Sequence, residues 1–191
     1  IGNARRKRGS MTEENAAPPE ETDQETVEEV DLGPLAYGVP VTESFGQTVL
    51  HPAPDQLIET ATVLQQDGFC MVIDLTVVDY LTHPGRTDLP AAVTPQRFEV
   101  VVALINHQQS TRIRLRVQAG NNQPTVPSLF DLFPGTEAME REAWDLFGVT
   151  FTDHPDHSRI LLPDDWEGHP LRKDHGMGDI PVQFSTTVGN R

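Results

Sequence analysis

The order of elements along the chain predicts an α+β domain, two layers deep, with helices packed on a small mixed or antiparallel sheet. Three observations carry that expectation. Thr111 to Gln118 alternates strictly, with Ile113, Leu115 and Val117 on one face and Arg112, Arg114 and Arg116 on the other. The run Val100 to Ile105 is apolar at every position, as a strand buried on both faces requires, and Gln108, Gln109 and Ser110 make the turn that joins the two. Helical patterns stand before and after these strands instead of alternating with them, which argues against a doubly wound sheet.

Residues 1–40 are expected to be a disordered acidic tail. The basic cluster Arg5-Arg6-Lys7-Arg8 gives way to Glu13, Glu14, Glu20, Glu21, Asp23, Glu25, Glu28, Glu29 and Asp31, with too few apolar side chains to offset the entropy of ordering. Met11 follows Gly9-Ser10, so the residues before it are expected to precede a natural start and receive no function. The domain is placed at 41–151. Its first helix runs from Pro54, favourable in the first turn, to Gln66, with Gly68 closing it and Leu57, Ile58, Ala61 and Leu64 on one face. A strand from Phe69 to Leu75 comes next, carrying Cys70 as a small buried hydrophobe, and the interior strand spans Arg97 to Asn106. After the polar loop Gly120 to Thr125, a short helix is expected at Ser128, with Asp131 completing a loose capping box before Pro134-Gly135 ends it.

The last helix of the domain, 137–147, organises the chain beyond it. Thr136 is its N-cap, Glu137 lies in the first turn and Gly148 closes it. Met139, Ala143, Leu146 and Phe147 form the apolar stripe, leaving Glu140, Arg141, Glu142 and Asp145 on the other faces, with Arg141 and Asp145 spaced to pair along the helix. Residues 152–191 are expected to be an extended tail. From Asp153 onward charge is mixed with proline and no regular period holds beyond Ile160-Leu161-Leu162, yet the content of Phe151, Trp166 and Leu171 exceeds that of a disordered segment. Such a tail lies against a surface, and Trp166, Pro170 and Leu171 suit a partner's pockets.

With 191 residues the chain has room for one modest domain plus tails. Its net charge of -15, from 14 Lys and Arg against 29 Asp and Glu, disfavours nucleic acid and anionic lipid. No apolar run approaches the roughly 20 residues that span a bilayer, and nothing behind Arg8 makes a signal peptide, so a soluble cytoplasmic protein is expected. A single Cys cannot supply the thiolates of an iron–sulfur cluster or a structural zinc site. The arginine row on Thr111 to Gln118 is read as a solvated face opposite acidic neighbours, since no Gly-rich phosphate loop accompanies it.

Enzyme readings find little support. Asp153, His154, His157, His169 and His175 are the ligand types of a zinc or iron site, and a small metal-dependent hydrolase built on His154, His157 and His169 is one alternative, but the spacing lacks HExxH. Glu140 and Glu142, two apart on a helix, point to different faces and make a poor glycosidase pair. No GxSxG, GxGxxG or Walker loop appears.

Glu140-Arg141-Glu142, then Asp145, Gly148, His154-Pro155, Arg159 and Gly168-His169-Pro170-Leu171-Arg172-Lys173-Asp174 resemble the signature of the C subunit, the 30-kDa-type subunit, of respiratory complex I (NDH-1). One departure is Ser158, where relatives usually carry a basic residue. The resemblance implies a structural peripheral-arm subunit of the proton-translocating NADH-quinone oxidoreductase, with no cofactor of its own. FMN and iron–sulfur clusters would sit in partner subunits, and the chain would dock chiefly on the quinone-site subunit, the D subunit, peripheral on the cytoplasmic side of the cell membrane. Scaffold subunits of membrane-bound hydrogenase or F420 dehydrogenase complexes are the related alternative. On this reading Glu140, Arg141, Glu142, Asp145, His154, Arg159, Trp166, Pro170, Leu171, Arg172, Lys173 and Asp174 form the docking interface. A charge network that staples the tail to its own domain is the competing arrangement, and it requires the isolated domain to lose stability when a charge is removed.

Overall fold

A computed structural model describes residues 33–176. In chain order these form β1 (Leu35–Ala36), β2 (Val39–Ser44), β3 (Gln47–Leu50), α1 (Leu57–Gln66), β4 (Met71–Asp79), β5 (Phe98–Asn106), β6 (Thr111–Ala119), β7 (Thr125–Pro127), α2 (Glu137–Phe147) and β8 (Thr150–Thr152). The main sheet has the order β1-β2-β3-β6-β5-β4, in which β3 runs parallel to β6 and every other neighbouring pair is antiparallel. A parallel pair, β7 with β8, links the loop before α2 to the chain after it. The result is the expected α+β domain with a mixed sheet.

Periodicity explains the layers. Phe98, Val100, Val102 and Leu104 on β5 and Ile113, Leu115 and Val117 on β6 are buried on the helix side. The same face takes Leu57, Thr60, Ala61 and Leu64 from α1. Ile58, expected on that apolar face, is instead 37% exposed, and Thr60 takes the buried position. Each fully buried Leu, Val or Phe contributes about 1.5–3 kcal/mol relative to exposure, so this layer is the principal source of stability.

Four expectations need correction. Ordered strands begin at Leu35, inside the stretch expected to be unfolded, while the expectation for residues 1–32 lies outside the described residues. The strand expected from Phe69 to Leu75 runs from Met71 to Asp79, and Cys70 just before it is exposed, not buried. No helix forms at Ser128, because its hydroxyl donates to Glu140 Oε2 (2.6 Å) and accepts the Phe130 amide (3.1 Å), which makes a turn. Of the arginine row, Arg116 does meet acids, Glu99 at 2.7 Å and Asp88 at 2.6 Å, and Arg114 reaches Gln47 at 3.1 Å. Among the described residues no helix is long and apolar enough to cross a membrane.

Candidate functional site

The helix α2 has the bounds its sequence predicts. A 3-10 turn over Pro134–Thr136 leads into it, and Gly148, with φ +69°, ends it by donating its amide to the Trp144 carbonyl at 2.8 Å. Thr136 occupies the N-cap position, but its buried Oγ1 has no hydrogen-bond partner, so the side-chain cap does not form. Arg141 does not pair with Asp145. It turns back to Glu137 at 3.1 Å and forward to the Ser158 hydroxyl (2.8 Å) and the carbonyls of Ser158 and Arg159.

The larger correction concerns Glu140 and Asp145, which were expected on free faces of the helix and are both 0% exposed. A buried carboxylate must be satisfied, and backbone amides together with one side-chain donor each satisfy these two. Glu140 accepts the Leu129 amide at 2.8 Å and the Ser128 hydroxyl at 2.6 Å, tying α2 to the segment after β7. Asp145 Oδ2 accepts three consecutive amides of the tail, Ile160 (3.1 Å), Leu161 (2.9 Å) and Leu162 (2.9 Å), while Oδ1 takes Arg159 at 2.6 Å. Burial alone would push this carboxyl up. The Leu162, Leu161 and Ile160 amides and the Arg159 guanidinium outweigh it and hold the pKa at about 2.

The rest of the tail is fastened the same way. His169 Nδ1 meets the Asp145 carbonyl at 2.9 Å, the Leu171 amide donates to the Leu146 carbonyl at 3.1 Å, and Arg172 Nε donates to the Phe147 carbonyl at 2.5 Å. These are the carbonyls that a helix C-terminus leaves unpaired, and a cation there also opposes the helix dipole. Arg97 then holds the end of the segment with a fork on each of two carboxylates. Its contacts are at 3.0 and 2.8 Å to Asp79, and at 2.9 and 2.6 Å to Asp174. Asp79 also accepts the Lys173 amide at 2.9 Å. Hydrogen bonding to Arg97 holds the Asp174 carboxyl below the usual range.

The expected interface residues therefore divide into two groups. Glu140, Arg141, Asp145, His154, Arg159 and Arg172 are engaged within the chain, and Asp174, though half-exposed, is bound to Arg97. Glu142, Trp166, Leu171 and Lys173 remain exposed and Pro170 half-exposed, joined by Ile160 and Leu161, which the sequence reading left out of the interface. Asp79 and Arg97 were also missed. Nothing local marks them, since their partner Asp174 is 77 residues from Arg97.

The histidines do not assemble a metal site. His154 takes the Asp156 amide on Nδ1 and meets the Glu137 carbonyl through Nε2, while the rings of His157 and His169 pack edge-on against Trp144. Among the described residues no three His, Cys, Asp or Glu side chains come together to hold an ion, so the hydrolase reading loses its ligand set.

The model for the family described as respiratory-chain NADH dehydrogenase, 30 Kd subunit, matches residues 50–180. The chain belongs to that family. It is 42% identical over 142 residues to the C subunit of NADH-quinone oxidoreductase from Mesorhizobium japonicum, a match covering 74% of this chain and 66% of that protein. It is 41% identical over 146 residues to the C/D subunit of NADH-quinone oxidoreductase from Serratia proteamaculans, covering 75% of this chain and 24% of that one. The solved trypsin-resistant fragment (1-134) of Nqo5 superposes with a TM-score of 0.55 at 29% identity, covering 62% of this chain and 89% of the fragment. The segment from Glu140 to Asp174 that carries the sequence resemblance falls inside the family match.

Proposed function

We propose that this chain is a structural subunit of the peripheral arm of an NADH-quinone oxidoreductase. It contributes no redox centre and holds its neighbours through the tail that α2 fastens to the domain. In that assembly electrons pass from NADH through FMN and iron–sulfur centres in other subunits to a quinone, coupled to proton translocation. The chain itself is peripheral, on the cytoplasmic side of the membrane, and meets lipid only through its partners.

The observation that carries the reading is the exposed face of the fastened tail. Leu161 (59%), Leu171 (46%), Trp166 (43%) and Ile160 (39%) stay open while the charged groups beneath them are satisfied internally. Large apolar side chains on a segment whose backbone is already ordered are suited to anchoring a partner. The quinone-site D subunit is the partner proposed, and the relative from Serratia proteamaculans supports it, because its C/D name joins the two in one protein.

The test is an affinity purification of the tagged chain from membranes in mild detergent, with mass spectrometry of its partners and an assay of NADH-dependent quinone reduction. Flavin and iron–sulfur subunits recovered with that activity are the expected result. The variants Trp166→Ala and Leu161→Ser are expected to lower recovery of the quinone-site subunit by about tenfold or more while the chain alone melts as before. Recovery of the chain by itself would overturn the proposal.

A further inference from the structure

The hairpin between β2 and β3 closes through Phe45 and Gly46, which have φ of +52° and +72°. A two-residue turn with both φ positive favours Asn-Gly, and a side chain other than Asn or Asp is strained at its first position. The Phe45 ring is moreover 101% exposed. It therefore gives the isolated chain neither packing nor a preferred turn. Large exposed aromatic side chains at such a tip are what a partner's pocket would select.

A second observation lies beside it. The side chains of Arg114 and Arg116 have partners, but the guanidinium of Arg112, exposed at the start of β6, makes no hydrogen bond or ion pair among the described residues. Between the β2–β3 turn and the β5–β6 turn lies a groove of about 700 Å³, with Gly46, Gln47, His107, Gln109 and Arg112 on its walls. Asp67 is the groove's carboxylate, and it is occupied by the Tyr37 hydroxyl at 2.6 Å. In a chain of net charge -15, this guanidinium has no carboxylate within ion-pair distance among the described residues, and one supplied from outside would neutralise it.

We propose that the Phe45 turn and Arg112 form a second docking surface, filled by an acidic segment of a neighbouring protein subunit. That segment places a carboxylate on Arg112 and apolar side chains around Phe45. A phosphate-bearing partner fits less well, because the Arg112 guanidinium, on a groove that also carries Asp67, balances a single carboxylate but not the nearly double charge of a phosphate. The neighbour is taken from the assembly proposed above, so the inference rests on that reading.

Phe45→Asn makes the test sharp, because turn chemistry and docking move in opposite directions. The variant is expected to raise the melting temperature of the full chain by about 2–4 °C through relief of the turn. It is also expected to reduce co-purification of neighbouring subunits by about tenfold or more. Arg112→Glu is expected to leave melting unchanged and to reduce assembly likewise, while Arg112→Lys keeps most of it. A photo-reactive phenylalanine analogue at position 45 is expected to cross-link to a carboxylate-rich segment of a subunit that co-purifies with the wild type. Assembly unaffected by both Phe45→Asn and Arg112→Glu would overturn the inference and leave the tail reading standing. A wild-type dimer that Phe45→Asn converts to a monomer would also overturn it, in favour of a second copy of this chain. If the unmodified chain recovers no NADH dehydrogenase subunits, the assembly reading fails first and takes this inference with it.

Discussion

Replacing Asp145 by alanine separates a tail that belongs to the fold from one that merely rests on it. The carboxylate accepts the Ile160, Leu161 and Leu162 amides at 3.1, 2.9 and 2.9 Å and Arg159 at 2.6 Å. Removing one member of a buried, hydrogen-bonded pair costs about 3–5 kcal/mol. Arg159 keeps the carbonyls of Trp166 and Gly168, at 2.7 and 3.3 Å, and the freed amides reach water once the loop lifts. The lower end therefore applies, about 3 kcal/mol. Because Ile160 and Leu161 are exposed, the expected response is local release of the tail, not global unfolding. About 3 kcal/mol is a roughly hundredfold increase in amide exchange at 160–162, measured by deuterium uptake of that peptide. Exchange within about twofold of wild type would refute the reasoning.

The same carboxylate makes the fastening acid-sensitive. Its pKa is about 2 when bound, below the ordinary 3.8, so the Asp145 carboxylate takes up a proton more readily once the tail is released than while it is bound. The stabilisation is therefore complete above about pH 5, shrinks as pH falls through about 4, and is lost below about 2. Allowing for solvent screening, it amounts to on the order of 1–2 kcal/mol. Asp145→Ala is expected to remove this part of the pH dependence of deuterium uptake at 160–162, leaving what Asp79 and Asp174 contribute further along the tail.

Neighbouring contacts give the remaining predictions. Glu140→Ala leaves the Leu129 amide without its acceptor in the core, an expected loss of about 2 kcal/mol, or about 4–8 °C in melting temperature, whereas Glu140→Gln loses less. Gly148→Ala would put a Cβ 2.5 Å from Arg172 Nη2 and from the His169 ring at a φ of +69°, so faster exchange across 169–173 with the sheet intact is expected. Asp79→Ala leaves Arg97 with Asp174 alone, strands the Leu81 and Lys173 amides and is expected to lower urea stability clearly. Asp174→Ala removes a carboxylate that is 52% exposed and is expected to shift melting by no more than about a degree.

Legibility tracked how local each determinant is. The bounds of α2 were readable because Glu137 in the first turn and Gly148 at the end act on adjacent backbone, and β5 and β6 were readable because their pairing crosses a short turn. The β1–β3 segment was not, since β3 gains its place by parallel pairing with β6, more than 60 residues on, and its turns are Tyr37-Gly38 and Phe45-Gly46 in place of Asn-Gly. Glu140 left a usable sign. It stands three positions before Ala143 and seven before Phe147, which places it beside the buried stripe. Asp145 left none, because its acceptor role is defined by amides 15 to 17 residues away that carry apolar side chains.

Those amides change how assembly should be understood. A segment with no regular period was expected to need a partner to become ordered, and ordering backbone costs about 1–2 kcal/mol per residue. Here α2 and Asp79 of β4 supply the acceptors, so the segment from Ile160 to Asp174 is held before any partner arrives, and docking has chiefly side-chain ordering left to offset, about 0.5–1.5 kcal/mol for each group fixed. Two kinds of variant should then weaken assembly by different routes. Trp166→Ala removes an anchor and should leave deuterium uptake at 160–162 unchanged. Asp145 is 0% exposed and cannot touch a neighbour, yet Asp145→Ala should lower recovery of the partner subunits in proportion to the release of the tail. If Asp145→Ala frees the tail and assembly proceeds as in the wild type, the fastened conformation is not the one that docks.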